Sequence, residues 1–588
     1  MPALSIEQLL DRLDELKRPA DTGGRGHERL AVALKQTARR RFTDAPSLIR
    51  FHEILLYLRA YPQNASLVEA TEKLLHSFAS RVERLSADGA EMSAFEEPNV
   101  SGIAATGFSA VFGYDITRWL ARAHASRVRV LWDDYEDHAH LNLVWPKLLP
   151  LFEEDAYSDA HAPFLAWVRA AKRRGESDLS WLMRQFERLP VGEKQKAELF
   201  EPLRLWLRWE LGNSKATRTL MRRRVRRIFY HDAPLVARRD VSLARELNAP
   251  PLAVERLSRA GGERLLAMGR DTMAVRFREL HGFTFGDPRS VVRADAGRGL
   301  EIFLWGIVPA RRLPLLGYHA GIFFKNGVPM GYHEGLSLFE RVEIGLNLFY
   351  TFRDGESAWA YARLMRLYRQ LLGADVFSID PYQLGGSGNE EGIESGAFWF
   401  YRKLGFRPVR AELATLVAAE ERKIAARKNY RTPPRVLRRL ASGHVIYEAR
   451  ADAATVAEAA TKTTGEWDRF AVRNIGLAVA RRMASEFDGD AGRIRAASVA
   501  TVKRALGAVG AKLNEAEERA FSNFALVLAL IPDLARWTAF EKRDALSIIR
   551  AKAAGADESR YLRLLCRHAR LRREIIALGT NVNSQVKE

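Results

Sequence analysis

Cysteine is nearly absent from this chain of 588 residues, and long apolar runs are missing as well. The one cysteine, Cys566, excludes an internal disulfide and favours a reducing compartment. The longest apolar run, residues 524–531, is far shorter than the roughly 20 residues that cross a bilayer. The first residues do not form a basic segment followed by an apolar one, so the sequence predicts no signal peptide there. We therefore expect a cytoplasmic protein with no membrane span.

Acidic residues are also fewer than basic ones. The sequence has 92 Lys and Arg against 72 Asp and Glu, a formal charge of +20. Such an excess suits a nucleic acid, an anionic membrane surface or an acidic ligand such as a coenzyme phosphate. The positive residues are spread over the chain, which favours arginines on solvated helix faces. In the densest group, residues 215–230, apolar spacing predicts a helix whose outer arginines form either a solvated face or a phosphate-binding surface.

The apolar spacing divides the chain into three regions. Residues 1–267 are predicted to be mostly helical, with a break near 90–135, and residues 451–588 are predicted to be helical again. Residues 268–450 mix strands and helices. The predicted fold class is therefore multidomain α+β, with a central mixed sheet flanked by largely helical N- and C-terminal regions.

An acidic stretch with two histidines, residues 133–140, follows a predicted strand at residues 128–132. Carboxylates and imidazoles this dense could ligate a metal. Their spacing matches no defined site, so an acidic surface turn is favoured and no metal is predicted.

The central region carries the clearest succession of elements. Asn326-Gly327 between two strand-like runs predicts a hairpin, because both residues tolerate positive φ. Alternating apolar residues predict a strand over 342–352, with one face in the core and the other available for chemistry. A helix ending at Gly373 and a short strand over 376–380 follow, so this unit is predicted to be a strand-helix-strand crossover with parallel strands.

A family resemblance lies just beyond this crossover. After a polar loop, residues 397–406 read Ala-Phe-Trp-Phe-Tyr-Arg-Lys-Leu-Gly-Phe. This segment resembles the late-helix signature of the GNAT superfamily of acyl-CoA N-acyltransferases, and the preceding elements are similar in order over roughly residues 299–410. The resemblance implies a GNAT-like mixed sheet and transfer of an acyl group from a thioester, acyl-CoA, to an amine.

The resemblance also implies roles for particular residues. Tyr401 matches the tyrosine that protonates the departing thiolate in many members. The coenzyme-phosphate turn of the family falls at residues 353–358 of this sequence. The resemblance therefore implies that four residues of this turn bind the cofactor: Arg353, Gly355, Ser357 and Ala358. The sequence departs from the family pattern at Glu356, which replaces the central glycine. With Asp354, it places two carboxylates where a helix N-terminus would attract phosphate. Aminoacyl-tRNA, the donor of the related Fem-type transferases, is therefore an alternative to acyl-CoA.

Several polar residues are predicted near the carboxyl ends of the parallel strands, where α/β units usually bind ligands. Glu343 lies on the polar face of the predicted strand and is a candidate catalytic base. The candidates for substrate binding are Asp380, Tyr382, Asn389, Glu390, Glu391 and Glu394. Together they suit an amine acceptor, either a small molecule or a protein. The rival hypothesis is a catalytically inactive GNAT-like scaffold whose basic helical arms bind protein or nucleic acid.

Overall fold

The computed structural model describes residues 4–19, 26–133, 135, 138–149, 164–449 and 465–580. The helices are α1 Ile6–Leu16, α2 Gly26–Ala38, α3 Ala45–Ala60, α4 Ala65–His76, α5 Ala79–Ala87, α6 Tyr114–Ala123, α7 His138–Leu148, α8 Phe164–Ala171, α9 Asp178–Arg188, α10 Glu193–Phe200, α11 Leu243–Leu247, α12 Arg259–Ala274, α13 His281–Thr284, α14 Ser357–Leu372, α15 Glu390–Glu394, α16 Ala397–Arg402, α17 Ala411–Ala426, α18 Pro434–Leu440, α19 Val472–Phe487, α20 Ala491–Ala505, α21 Glu515–Leu528, α22 Ala539–Ala553, α23 Ser559–Arg567 and α24 Ala569–Thr580.

The strands form two sheets. They are β1 Gly107–Val111, β2 Val128–Val130, β3 Trp206–Glu210, β4 Ala253–Arg256, β5 Val292–Gly297, β6 Leu300–Gly306, β7 Gly317–Lys325, β8 Val328–Leu338, β9 Arg341–Leu348, β10 Val376–Ile379, β11 Arg407–Pro408 and β12 Val445–Glu448. The small sheet has the order β1-β3-β2, and the large one the order β11-β12-β10-β9-β8-β7-β6-β5-β4. The molecule is therefore α+β with a large mixed sheet.

Local sequence explains where many of these elements begin and end. The Asp44 side chain caps α3 by accepting from the Ser47 N–H, and Ser5 and Gln8 form a reciprocal capping box on α1. At the other end of a helix, Gly373 closes α14 with a left-handed φ of 73°. The predicted hairpin is confirmed, because Lys325 pairs with Val328 across Asn326-Gly327.

The crossover at the centre of the sheet is also confirmed. β9 and β10 are parallel, α14 joins them, and β12 pairs with β10 from the other side in antiparallel orientation. The parallel ladder covers three residue pairs and ends at Glu343 opposite Ser378, whereas β9 continues to Leu348. Beyond Glu343, no residue in the described part of the chain forms a ladder with β9 on its β10 side.

Three details of the predicted elements are wrong. Residues 216–230 form no helix, because backbone hydrogen bonds hold this segment against the β7–β8 hairpin. The strand predicted over 342–352 ends at Leu348, and a 3₁₀ turn follows that leaves Tyr350 70% exposed. The polar loop after β10 contains the short helix α15, which Asn389 caps.

One apolar core joins the large sheet to helices from both ends of the chain. Leu55 of α3, Phe323 of β7 and Ile548 of α22 all belong to this cluster, and a second cluster surrounds the small sheet. The division into three regions stays a prediction, since all three contribute to the same core. Among the described residues, no helix has the length and apolarity needed to cross a membrane. In the acidic stretch 133–140, residues Asp134, Glu136 and Asp137 lie outside the described residues.

Candidate functional site

One face of β8 and β9 is polar and partly open, and for β9 the alternating pattern of the sequence predicts such a face. On β9, Val342 and Ile344 are fully buried, whereas Glu343 is partly exposed on the opposite face. Register places Glu334 of β8 opposite Gly345 of β9. Glu334 and Glu343 are therefore diagonal neighbours on the same face, a separation of about 7–8 Å that long side chains can bridge.

Gly345 leaves room between these two carboxylates, because it has no side chain to fill the space above the sheet. The nearest atom to a Cβ placed there would be Nε2 of Gln383, at 3.5 Å. The other face of the sheet is closed, because Tyr368 of α14 packs against Gly335 and lies 3.2 Å from Nδ1 of His333. Among the described residues, the open side of this part of the sheet is the one that carries Glu334 and Glu343, and a ligand would approach from there.

His444 and Asp380 extend this polar face at the point where the parallel ladder ends. They lie one step beyond the last pair of the β10–β12 ladder, Ile379 opposite Val445. Nε2 of His444 lies 3.2 Å from the Glu343 carboxylate and 3.4 Å from the Asp380 carboxylate. These three side chains are 26% to 45% exposed, so solvent and small ligands can reach them.

The two carboxylates change the charge of the imidazole. Burial alone would lower the pKa of His444, but hydrogen bonds with Asp380 and Glu343 outweigh it and raise the pKa to about 9. The hydrogen bond with His444 in turn lowers the pKa of Asp380. At neutral pH the group is thus an imidazolium held between two carboxylates.

The same three residues could hold a divalent cation. One oxygen from each carboxylate and one nitrogen of His444 lie within 4.8 Å of one another. Nitrogen and carboxylate oxygen donors suit transition metals such as Mn²⁺, Fe²⁺ or Zn²⁺, and binding one would displace the imidazole proton. A proton and a metal ion would therefore compete for this position.

Glu334 is the carboxylate whose environment is best suited to accept a proton. The Tyr318 hydroxyl donates a hydrogen bond to it. Burial raises the pKa of Glu334, which brings it closer to the neutral range in which a general base works. Beside it, Arg278 donates to the hydroxyl of Tyr332 at 2.7 Å and supplies a fixed positive charge.

Tyr401 lies in an aromatic cluster rather than on this polar face. The Tyr401 side chain is 4% exposed and packs edge-to-face against Tyr361 and Phe406. Burial raises the pKa of its phenol, which makes it a weaker acid at neutral pH. The role of Tyr401 as a proton donor stays a prediction, and these contacts describe a packed core position.

The turn predicted to bind coenzyme phosphates is covered by protein groups. The hydroxyl of Tyr61, at the end of α3, accepts a hydrogen bond from the Glu356 N–H at 3.3 Å and occupies the space beside Gly355. The carboxylate of Glu356 is buried between Lys325 and Arg298, at 2.7 Å from each. These contacts fill the positions that a phosphate would need at the start of α14.

The other three residues predicted to bind the cofactor are also engaged with or buried among neighbouring groups of the chain. Arg353 pairs with Glu391, and Ser357 donates its hydroxyl hydrogen to the Arg353 carbonyl at 2.9 Å. Ala358 is 5% exposed. Their predicted role stays untested, but the contacts argue against an open phosphate site at this turn.

The loop candidates divide into structural and exposed positions. Asn389 accepts from the Gly392 N–H and donates to the Tyr382 carbonyl, so its amide shapes the loop. Glu390 pairs with Arg438. The Tyr382 side chain is 52% exposed beside Asp380, and Glu394 is exposed on α15. Of this set, Asp380 is the residue that joins Glu343.

Two site residues, Glu334 and His444, were missed by the sequence reasoning. Glu334 lies on the face of β8 opposite to that of His333 and Gly335, and the period-2 alternation of side chains along a strand is the sequence signal that could have found it. His444 precedes the strand predicted near residue 445, but its neighbours depend on the pairing of β12 with β10, which no local pattern specifies.

The chain matches no protein-family model, no curated protein and no solved structure.

Proposed function

We propose that this chain is a cytoplasmic N-acyltransferase with a GNAT-like central domain, which binds its acceptor amine on the polar face of β8 and β9. The observation that carries the proposal is the meeting of Glu343, Asp380 and His444 where the parallel ladder ends. Carboxyl ends of parallel strands are common ligand sites. The nearby carboxylate of Glu334 adds the negative charge that a cationic amine needs.

The reaction assigns a task to each group. The amine nitrogen forms a bond to the acyl carbon, and the bond from that carbon to the sulfur or oxygen of the donor breaks. The amine binds as an ammonium and loses two protons: the first passes to solvent before the attack, and Glu334 takes the second as the amide forms, because its raised pKa suits it to act as a base. His444, protonated at neutral pH, gives a proton to the leaving sulfur or oxygen. Glu343 and Asp380 hold the charge of the incoming amine.

The contacts that cover the turn at residues 353–358 affect which acyl donor the protein can bind. With Tyr61 and the Glu356 carboxylate at the start of α14, the coenzyme phosphates would have to bind elsewhere. This supports aminoacyl-tRNA over acyl-CoA as the donor, since an aminoacyl-tRNA carries no coenzyme pyrophosphate that would have to bind at that turn. The same contacts favour the second candidate function, a GNAT-like scaffold that binds an amine-bearing partner without catalysis.

Amide formation tests this proposal directly. Lysine and spermidine serve as acceptors, acetyl-CoA, palmitoyl-CoA and alanyl-tRNA serve as donors, and mass spectrometry detects the products. We expect product with alanyl-tRNA and a rate at least about 100-fold lower for Glu334→Gln, because a general base contributes about 10²–10⁴. Glu412→Gln, which changes an exposed carboxylate on α17, is the matched control and should leave the rate unchanged.

Two further measurements separate the alternatives. A tenfold lower rate for Tyr401→Phe would assign the proton donor to Tyr401, whereas a rate lowered only by His444→Gln would assign it to His444. Product that disappears after EDTA treatment would show that a cation, not a proton, occupies the His444 position. Spermidine binding by calorimetry without product from any donor would leave the scaffold as the function.

A further inference from the structure

A basic cleft lies beside the large sheet, away from Glu343 and His444. The segment from Arg222 to His231 crosses the ends of β5, β6 and the β7–β8 hairpin without forming a helix or strand. It borders an open cleft of about 1450 Å³, which Arg293 and Arg298 line from the sheet side. The volume is large enough for several linked chemical groups, not only for a single small ion.

Hydrogen bonds to the hairpin fix the backbone of this segment. The Arg223 N–H donates to the Gly327 carbonyl at 2.8 Å, and the Phe229 N–H donates to Oδ1 of Asn326 at 2.8 Å. At the far end, the His231 N–H donates to the Pro62 carbonyl at 2.8 Å. The side chains in between are therefore presented to the cleft by an anchored backbone.

The arginines of the segment divide into paired and unpaired groups. Arg222 pairs with Glu72 and Arg223 with Glu301, so these two stabilise the fold. Arg224, Arg226 and Arg227 line the cavity, are exposed, and make no hydrogen bond or ion pair within the described part of the chain. These three are free to bind an anion.

The cleft also contains carboxylates, and two of them are already neutralised. Arg293 pairs with both Glu255 and Glu301. Asp295 accepts from the Gly297 N–H, and Asp232 is exposed at the rim. Three free guanidinium groups therefore face two carboxylates, Asp295 and Asp232, that form no ion pair with any described residue, which leaves the cleft positive.

Aromatic rings interleave with these charges. Tyr230 is 39% exposed and lines the cavity, and the guanidinium of Arg298 lies 5.2 Å from the ring centre of Phe229. An exposed aromatic ring beside free arginines is the combination that binds single strands, because bases stack on the ring while arginines contact phosphates. A duplex would need a groove-filling helix or ribbon, which this segment does not supply.

We propose that this cleft binds single-stranded nucleic acid, with phosphates on Arg224, Arg226 and Arg227 and a base against Tyr230. The site rests on the cleft alone and does not require acyl transfer. The net charge of +20 would raise the rate of encounter with such a ligand.

Fluorescence anisotropy with labelled twelve-nucleotide uridine RNA and thymidine DNA tests this proposal at 50, 100 and 200 mM NaCl. The triple variant Arg224→Ala, Arg226→Ala, Arg227→Ala should bind at least tenfold more weakly. Its slope of log affinity against log salt should be shallower by about 2, from about 0.7 per lost phosphate contact on a single strand. Tyr230→Ala should lose about tenfold in affinity with an unchanged slope, as expected for a stacking contact.

The matched control removes three exposed positive charges from the end of α17 through Arg422→Ala, Arg427→Ala and Lys428→Ala, and its affinity should match that of the wild type. The ratio of RNA to DNA affinity identifies which nucleic acid the cleft prefers. An equal loss for the control triple would overturn the proposal, because binding would then reflect net charge. Affinity unaffected by Tyr230→Ala and competed by inorganic polyphosphate would also overturn it, in favour of an oligophosphate site.

Discussion

Carboxylates that look alike in the sequence have different tasks, and their immediate neighbours decide which. Glu356 stands between Lys325 and Arg298; burial alone would raise its pKa, but the charge of Lys325 lowers it on balance. Burial in turn lowers the pKa of Lys325 to about 8. Glu343 and Asp380 instead share one half-exposed imidazole. The buried ion pairs of Glu356 stabilise the fold. Glu343 and Asp380 are reachable by solvent, so a cationic ligand can replace the imidazolium of His444 as their counter-ion.

The pH dependence of stability tests the environment of His444. Its folded-state pKa is raised from 6.5 to about 9, so its contribution is fully present below about pH 6.5 and is lost as the pH rises through 9. We expect the wild type to exceed His444→Gln in free energy of unfolding by about 1 kcal/mol at pH 6, after allowing for solvent screening of a partly exposed group.

Urea unfolding of both proteins between pH 6 and 10 measures this difference. Glu343, Asp380 and Arg341 are the charged groups that face the imidazole. The charge of His444 is lost as the pH rises through its pKa of about 9, so the difference in free energy of unfolding should narrow with rising pH. A difference that stays constant from pH 6 to 10 would contradict the raised pKa.

At the scale of elements, the segment 222–231 illustrates how a tertiary contact overrides a local preference. Its apolar spacing favours a helix, yet its backbone N–H groups at Arg223 and Phe229 bond to the hairpin turn. A helix would withdraw these donors and leave Oδ1 of the buried Asn326 side chain without the Phe229 N–H that it accepts from. The same anchoring places the three free arginines in the cleft.

Substituting the hairpin glycine tests this contact. Gly327 and Gly373 both have left-handed φ, at 82° and 73°. A Cβ at Gly373 would meet no atom within 4 Å, but one at Gly327 would fall on the Arg223 carbonyl oxygen. We expect Gly373→Ala to cost about 1 kcal/mol and Gly327→Ala at least about 2 kcal/mol more, from the clash and a strained hydrogen bond.

Chemical denaturation of the two variants gives these free energies, and Gly373→Ala isolates the cost of the backbone conformation. Equal losses at the two positions would mean that the segment 222–231 can move away from the hairpin in solution. The cleft would then lack a fixed wall.

At the scale of the whole molecule, the C-terminal helices complete the core of the large sheet. Glu558, which immediately precedes α23, is fully buried, pairs with Lys552 of α22 and accepts from the Tyr318 N–H of β7 at 2.9 Å. Arg312 also donates to the Lys552 and Ala554 carbonyls. Sheet and helices therefore share buried polar contacts as well as apolar ones.

Hydrogen exchange at increasing urea tests whether these parts unfold together. Peptides from α3, β7 and α22 should lose protection with one common free energy. Glu558→Gln should lower it by about 3 kcal/mol for all three, because Lys552 is left buried without its counter-ion.

Glu263→Gln is the control, because it removes a surface ion pair on α12. It should lower the free energy of unfolding by less than about 1 kcal/mol. Loss of protection in α22 alone would instead identify the C-terminal helices as a separately stable unit.

The sequence by itself determined the local elements of the central region. Period-2 alternation specified β9, Asn326-Gly327 specified the hairpin, and Gly373 specified the end of α14, because each signal depends on neighbouring residues only. It also placed Glu343 and Asp380 near the ends of the parallel strands.

Only the tertiary structure decided what surrounds these residues. His444 joined the site through the pairing of β12 with β10, and Tyr61 covered the predicted phosphate turn from a helix nearly 300 residues earlier. Tyr401 lies in an aromatic core for the same reason. Burial, charge pairing and access depend on residues distant in the chain, and a single sequence without its fold does not specify which of them meet.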